Sequence, residues 1–364
     1  MSTIVTAADA AHFLALVPRL LGFTPTESLV VVPLARGRSL GAMRVDLPPD
    51  CAHLDATAST VVGLLCRVGG ADSFAAVVFT DAPATNPLPG ADLAEALERS
   101  ADACGLGVVD VLTVAGTGWG SHFDGQLPPG GRPLDEIRRR LPPPTGDQND
   151  GADLPPVEAA AVAGVDAAVA SLEAALTVLC GIPAAGAGAA RIDPAALEAA
   201  CALDDLPALY EDALTWDAAS LDPMHVAVLS WCLARPSLRD VGIVQWASDR
   251  SGGDTALDAQ RRWEDGEEYP ADLASVMWGE GPRPDPRRLE RALELVRHVA
   301  ARTPERHRAG ALATAGWLAW SLGRSTHADR HAAEALDLDP THGLAEIVRS
   351  FVAAAHLPDW AFRR

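Results

Sequence analysis

Strand-like and helix-like segments alternate along the first 125 residues, whereas only helical patterns follow residue 157. Runs of β-branched and apolar residues at 28–34, 74–80 and 108–114 predict buried strands, and the patterns at 54–68 and 91–104 predict helices between them. Strands that alternate with helices favour a sheet whose later strands are parallel. The predicted fold class is therefore α+β or α/β, with an N-terminal α/β sheet domain followed by an all-α domain.

The chain is long enough for two domains, since a domain typically has about 150 residues. Residues 141–157 are rich in Pro, Gly and Asp and contain few residues that build a core. This composition is typical of a flexible linker or an exposed loop. We therefore predict an α/β domain at 1–140, the linker or loop at 141–157, and an all-α domain at 158–364.

A short turn, Gly22 to Ser28, joins the first predicted helix to the first predicted strand. Gly22 is suited to end the helix, and Pro25 is suited to form the turn. Glu27 and Ser28 would lie at the start of that strand, whereas ligand crevices in open α/β sheets lie beyond the carboxyl ends of strands. This geometry favours a structural role for the turn over a role in ligand binding.

Small residues and a proline recur near 306–340 at the offsets that tetratricopeptide repeats use. They are Gly316, Gly323, Ala328, Ala335 and Pro340. Small side chains let the two helices of a hairpin approach closely, and the proline ends the second helix. A lone repeat cannot bury both of its faces, and such arrays usually need three or more units. An ordinary helical hairpin that uses small residues for close packing therefore remains an equal alternative.

All 29 basic residues are arginine, and the chain contains no lysine. Schiff-base chemistry on lysine and the P-loop lysine are therefore excluded. The formal net charge of −20 argues against a nucleic-acid partner, because binding to phosphates requires a basic surface. No run approaches the ~20 apolar residues of a membrane span. We predict a cytoplasmic protein that binds neither nucleic acid nor membrane.

Cysteine and histidine spacings point to no metal site. The six cysteines are scattered without a CxxC pair, which predicts reduced and mostly buried thiols. His327 and His331 share a helix face, but Ala328 stands where a zinc protease carries glutamate, so we interpret them as surface histidines. The glycine-rich loop at 116–120 lacks the spacing of a phosphate-binding loop. No metal, no cofactor and no catalytic residue is predicted.

The segment that reads LLGFTPTESLVVV at 20–32 resembles the opening of an actinobacterial family known as domain of unknown function 4192. The resemblance continues through RVDLPP at 44–49, LRD at 238–240 and LDLDP at 336–340, and so extends over most of the chain. The resemblance implies an α/β front half and a helical back half. It implies no activity, because none is assigned to the family.

Two arginine–aspartate pairs are the candidate ligand-binding residues. Arg239 and Asp240 lie in a strongly apolar helix predicted at 222–248, where they would form either an internal ion pair or a clamp for a carboxylate or phosphate. Arg44 and Asp46 lie in the segment that carries the family resemblance. The composition and motifs leave open whether the protein is an enzyme.

Two functions follow from these patterns. We favour a non-enzymatic regulatory or adaptor protein that binds a protein partner through its C-terminal helices. The alternative is an enzyme or sensor that binds a small anionic molecule in an interdomain pocket, through Arg44, Asp46, Arg239 and Asp240. A deep apolar cleft with polar groups around it would favour the small molecule, and an exposed apolar stripe on the last three helices would favour the partner.

Overall fold

The computed structural model describes residues 7–48, 53–181 and 192–362. The chain divides into two compact units, one ending at Asp150 and the other beginning at Gly151. This division falls inside the segment predicted as a linker or loop. The domain limits at 140 and 158 stay predictions.

The N-terminal unit contains both helices and strands, as the fold class predicted. Its helices are α1 (Ala10–Leu21), α2 (Leu54–Arg67), α3 (Ala91–Cys104) and α4 (Asp135–Arg138). Its strands are β1 (Ser28–Ala35), β2 (Arg38–Ser39), β3 (Met43–Asp46), β4 (Ser73–Phe79), β5 (Gly107–Val114) and β6 (Trp119–Ser121).

These strands form one mixed sheet in the order β2-β1-β4-β5-β6, with β3 also paired to β1. Strands β4 and β5 are parallel, as predicted for the later strands, and helix α3 lies between them in sequence. Strand β1 runs antiparallel to β4, with Ser28 opposite Phe79 and Leu34 opposite Ser73. The start of β1 therefore lies at the same edge of the sheet as the carboxyl ends of β4 and β5.

Both faces of the sheet are covered, which explains why β1 and β4 are apolar throughout and do not alternate. Leu29 and Val31 of β1 pack on one face with residues of α2 and α3. Val30 and Val32 pack on the other face with residues of α1 and with Trp119. The N-terminal unit is therefore a three-layer arrangement, with α1 on the face opposite α2 and α3.

The C-terminal unit is helical, and the described residues after Ser121 contain no strand, as predicted. Its helices are α5 (Ala159–Leu179), α6 (Pro194–Ala202), α7 (Leu206–Ala213), α8 (Pro223–Leu233), α9 (Pro236–Ala247), α10 (Arg250–Glu264), α11 (Ala271–Val276), α12 (Pro286–Arg302), α13 (Glu305–Ser321), α14 (Ser325–Leu338) and α15 (Gly343–Ala353).

Three of these helices begin at an Asp-Pro pair. The carboxylates of Asp193, Asp222 and Asp285 each accept a hydrogen bond from a backbone N–H of the first turn. Proline in the next position loses nothing, because its missing N–H has no partner within a helix start. Helix α9 also begins at a proline, Pro236, so the segment that the sequence predicts as one helix at 222–248 is two helices.

The core of the C-terminal unit contains large aromatic side chains. Trp246, Trp317, Trp320 and Tyr210 are all fully buried. Helices α13 and α14 match the predicted hairpin, and a Cβ on Gly316 would lie 3.2 Å from the Ala328 carbonyl oxygen. This close approach explains the small residues there, but it fits an ordinary hairpin as well as a tetratricopeptide-like repeat, and the repeat stays a prediction.

Helix α5 is long and apolar enough to cross a membrane by length and composition, and among the described residues it is the one helix that meets this criterion. Core helices of soluble proteins meet the same criterion. Val165, Val169 and Leu172 of α5 are buried in the core of the C-terminal unit. We expected no run to approach the ~20 apolar residues of a membrane span, and α5 shows this to be wrong in length and composition.

The prediction of mostly buried cysteines is wrong. Four free cysteines (Cys66, Cys104, Cys180 and Cys201) are exposed, and only Cys232 is buried among the described ones. Cys51 lies outside the described residues. Cys104 and Cys180 lie at the C-terminal ends of α3 and α5, and Cys66 and Cys201 lie at solvent-exposed positions of α2 and α6.

Candidate functional site

The edge of the sheet where β4 and β5 end is the best-formed candidate site in the N-terminal unit. Because β1 is antiparallel to β4, the turn Gly22 to Ser28 lies at this same edge. Glu27 and Ser28 lie at the start of β1, as expected, but the start of an antiparallel strand lies at the edge where its neighbour ends. The turn therefore lies where open α/β sheets bind ligands.

The turn is held in place by the segment that follows α4. The backbone N–H of Thr24 donates to the Gly146 carbonyl oxygen at 2.9 Å, and its hydroxyl donates to the Pro144 carbonyl oxygen at 3.0 Å. The Gln148 amide binds Thr26 from both of its ends: it accepts from the Thr26 N–H at 3.1 Å and donates to the Thr26 carbonyl at 3.0 Å. The turn therefore has a defined conformation rather than that of a loose loop.

Glu27 adopts an unusual backbone conformation at this edge, with a φ of 40°. Its carboxylate accepts hydrogen bonds from the Thr80 hydroxyl at 3.0 Å and from the Asp81 N–H at 2.6 Å. A non-glycine residue in this region costs about 1–3 kcal/mol and persists only where its surroundings hold it. Glu27 thus fixes the start of β1 against the residues that follow β4.

A cavity of about 360 Å³ opens at this edge. Its floor is formed by Phe79 and Val114, the last residues of β4 and β5. Most of its other lining residues are apolar and come from α1 and from the segment that contains α4: Leu14, Ala15, Pro18, Leu134, Ile137, Leu141 and Pro143. Its polar side chains belong to Thr24, Thr26, Thr80, Asp81 and Arg138.

The polar side of the cavity carries one carboxylate and one guanidinium. Arg138 lies 3.8 Å from Asp135, within its own helix. Asp81 forms no ion pair within the described ranges, so its carboxylate is open to a ligand. A ligand here would contact mostly apolar side chains. The Asp81 carboxylate on the polar side would favour a ligand group that donates a hydrogen bond or carries a positive charge.

Gly116 lines the same cavity, directly after Ala115. A Cβ at this position would lie 2.5 Å from the Asp81 carbonyl oxygen, closer than any real Cβ contact. The glycine therefore lets the segments after β4 and β5 approach each other. This contact supports a backbone turn at 116–118, directly before β6 begins at Trp119. The described chain here enters a strand and not a helix whose N-terminus would favour a phosphate.

Arg44 and Asp46 of β3 form an ion pair with each other. The Arg44 Nε also donates to the Ser28 hydroxyl at 2.8 Å, and that hydroxyl donates to the Thr26 carbonyl at 2.6 Å. Arg44 therefore connects β3 to the end of the turn at Ser28. Neither Arg44 nor Asp46 lines the cavity. Their role in ligand binding stays a prediction.

Arg239 and Asp240 of α9 also bind each other, with 2.8 Å between the Arg239 Nε and the Asp240 carboxylate. The Arg239 side chain is 8% exposed and that of Asp240 is 37% exposed. This arrangement matches the internal ion pair that the sequence left as one alternative. Their role as a clamp for a ligand stays a prediction.

The sequence interpretation of His331 as a surface residue is wrong. Its side chain is fully buried on α14, and neither ring nitrogen has a hydrogen-bond partner in the described part of the chain. Burial lowers the pKa of His331 to about 3, and repulsion by the positive charge of Arg297 adds to this effect. In the part of the chain that the structure describes, no three His, Cys, Asp or Glu side chains cluster as metal ligands.

Sequence reasoning missed the cavity itself. Its apolar wall comes from α1 and from residues 134–143, which are distant in sequence from the strand ends that form its floor. One signal was present: the most specific part of the family resemblance contains the turn residues Thr24, Pro25 and Thr26, and all three line the cavity. The antiparallel direction of β1 was needed before that signal could be interpreted.

A family described as "domain of unknown function (DUF4192)" has a sequence model that matches residues 11–265 and 283–359. The match covers nearly the whole chain and includes the turn and the strands around the cavity. No curated protein and no solved structure matches the chain. The chemistry of the site therefore rests on the geometry described above.

Proposed function

The chain belongs to the family of domain of unknown function 4192, and from this premise we propose that its N-terminal unit binds a small, mainly apolar molecule at the carboxyl edge of β4 and β5. The observation that carries the proposal is the cavity of about 360 Å³ at that edge. Its volume lies within the range of about 300–1,000 Å³ that small-molecule sites occupy. Its position is the one where α/β sheets bind their ligands.

The ligand that fits best has an apolar body and a head group that donates hydrogen bonds. The apolar body would displace water from α1 and the 134–143 segment, which stabilises the complex by roughly 25 cal/mol per Å² of buried apolar surface. The head group would reach Asp81 and the hydroxyl of Thr26. This proposal differs from the anionic ligand of the sequence analysis, because Arg138 is paired with Asp135 while Asp81 has no such partner among the described residues.

Three probes with one apolar body and different head groups test this proposal: hexylamine, hexanol and hexanoate. We expect hexylamine to raise the midpoint of thermal unfolding of the full-length protein most and hexanoate least, since a ligand that binds only the folded state stabilises it. Asp81→Asn should remove the preference for the amine over the alcohol. Mass spectrometry under native conditions would identify any molecule that co-purifies.

A pair of alanine variants provides the control. Ala15→Leu adds a side chain to the cavity wall, and Ala103→Leu adds the same side chain to an exposed position of α3. We expect the first variant to abolish the effect of the probes and the second to keep it. Equal responses of the two variants, or no response of the native protein to any probe together with no co-purified molecule, would contradict the proposal.

A protein partner of the C-terminal helices is our second proposal. Two large apolar side chains support it, Leu338 of α14 and Ile347 of α15, which are exposed. They are too few to form a stripe along α13–α15, so the cavity has the stronger support. If these helices bind a partner, Ile347→Asp should reduce its recovery in a pull-down at least about tenfold, as for a side chain at an interface core, while Glu346→Gln should not.

We also propose that the protein is cytoplasmic and binds no nucleic acid. Its four exposed free thiols support a reducing compartment, because exposed thiols persist where glutathione and thioredoxin keep them reduced. Its net charge of −20 opposes binding to phosphates.

A further inference from the structure

A second cavity, of about 370 Å³, lies in the C-terminal unit between α5, α8 and α13. The residues that matter for its chemistry are Glu173 of α5, Trp231 of α8, Arg235 just after α8, and His307 of α13. Val169 and Ala234 add apolar surface. The cavity therefore brings a carboxylate from α5 together with an aromatic ring and a guanidinium from α8 and the residues that follow it.

Arg235 is held in a fixed orientation at this cavity. Its guanidinium carbon lies 3.5 Å from the centroid of the Trp231 ring. Its Nη1 donates to the Trp231 carbonyl oxygen at 2.7 Å. Burial lowers the pKa of Arg235, but a guanidinium remains protonated at neutral pH. Within the described ranges Arg235 forms no ion pair, so its other N–H groups can bind an anion.

Glu173 faces the same cavity and attracts Arg235. The two side chains are nevertheless not within the ~4 Å that defines an ion pair, and Glu173 forms no ion pair with any other described residue. A negative and a positive group thus line one cavity without neutralising each other. A lone anion at Arg235 would be repelled by Glu173, and a lone cation at Glu173 would be repelled by Arg235.

We propose that this cavity binds a free α-amino acid with an apolar side chain. The carboxylate would pair with the Arg235 guanidinium, which favours planar anions. The ammonium group would pair with Glu173. The apolar side chain would lie against Val169 and the edge of Trp231. A zwitterion is the ligand class that satisfies both charged groups at once, and this site is independent of the cavity in the N-terminal unit.

Calorimetric titration of the full-length protein tests this proposal with three probes. L-leucine carries both charges, N-acetyl-L-leucine lacks the positive charge, and L-leucinamide lacks the negative charge. We expect L-leucine to bind about tenfold to a hundredfold more tightly than either blocked form, the range that a lost charge-assisted hydrogen bond gives. Absence of L-leucine binding, or equal affinity for all three probes, would overturn the proposal.

Two variants test the roles of the two charged groups one at a time. Glu173→Gln, at an exposed position, should leave the fold intact and bind L-leucine and N-acetyl-L-leucine with similar affinity. Arg235→Gln should bind L-leucine and L-leucinamide with similar affinity. Arg291→Gln, an exposed arginine of α12, is the matched control and should keep the native preference. If Glu173→Gln keeps the native discrimination against N-acetyl-L-leucine, the assignment of Glu173 is wrong and the proposal fails.

Discussion

Replacing His331 with leucine should make the protein much less sensitive to acid. The folded state holds this histidine neutral, because burial and the neighbouring charges of Arg297, His327 and Arg330 lower its pKa to about 3. In the unfolded chain its pKa returns to about 6.5. Between these values the unfolded state binds a proton that the folded state does not, so the free energy of unfolding falls as the pH falls.

The size of this effect follows from the two pKa values. Relative to neutral pH, His331 should lower the free energy of unfolding by about 2 kcal/mol at pH 5 and by up to about 5 kcal/mol below pH 3. His331→Leu removes this loss and also removes two buried ring nitrogens without partners. It should therefore be at least as stable as the native protein at neutral pH.

Urea unfolding at pH 7.5 and pH 5 checks this prediction. The difference in stability between the two pH values should be about 2 kcal/mol smaller in His331→Leu than in the native protein. His12→Gln, which removes a histidine near the start of α1, is the control and should leave the difference unchanged. If His331→Leu loses as much stability at pH 5 as the native protein does, His331 is not the acid-sensitive group.

Gly310→Ala should strongly destabilise the C-terminal unit. A Cβ at Gly310 of α13 would lie 2.3 Å from the carbonyl oxygen of Leu233 and 2.9 Å from the Cα of Ala234. These are backbone atoms at the end of α8, so they cannot move aside as a flexible side chain would. We expect a loss of about 2–3 kcal/mol, because overpacking outweighs the ~1 kcal/mol that alanine gains over glycine in a helix.

The same substitution at Gly164 is the matched control. Gly164 lies in the interior of α5, and the nearest atom to its Cβ would be the Pro223 Cγ at 3.7 Å, an ordinary contact. Gly164→Ala should therefore stabilise the protein by about 0.5–1 kcal/mol. Chemical denaturation of both variants gives the two values. Similar stability of the two variants would show that α13 and α8 are not packed as closely as described.

The local pattern of the sequence was sufficient to predict the central strands. The segments 28–34, 74–80 and 108–114 lie within one residue of β1, β4 and β5 at each end. They are long apolar, β-branched runs bounded by turn residues, and these signals are local. Helix α10 carries no comparable local signal: it is polar over most of its surface, and its few buried residues are Gly253, Ala256 and Ala259.

The candidate site was harder to predict because its residues meet through tertiary contacts. The four arginine and aspartate residues chosen from the sequence form two local ion pairs. The residues that line the cavity of the N-terminal unit have ordinary types, such as Leu14 and Ile137, which a core also uses. Only their position beside the strand ends distinguishes them from core residues.

By itself, the sequence determined the class of fold, the central strands and the helical nature of the second unit, because apolar periodicity acts over a few residues. The tertiary structure alone decided the direction of β1, the burial of His331 and the separation of Glu173 from Arg235. Each of these depends on which distant segments pack together, and the same local pattern is compatible with more than one such packing. The location of both cavities follows from those long-range contacts.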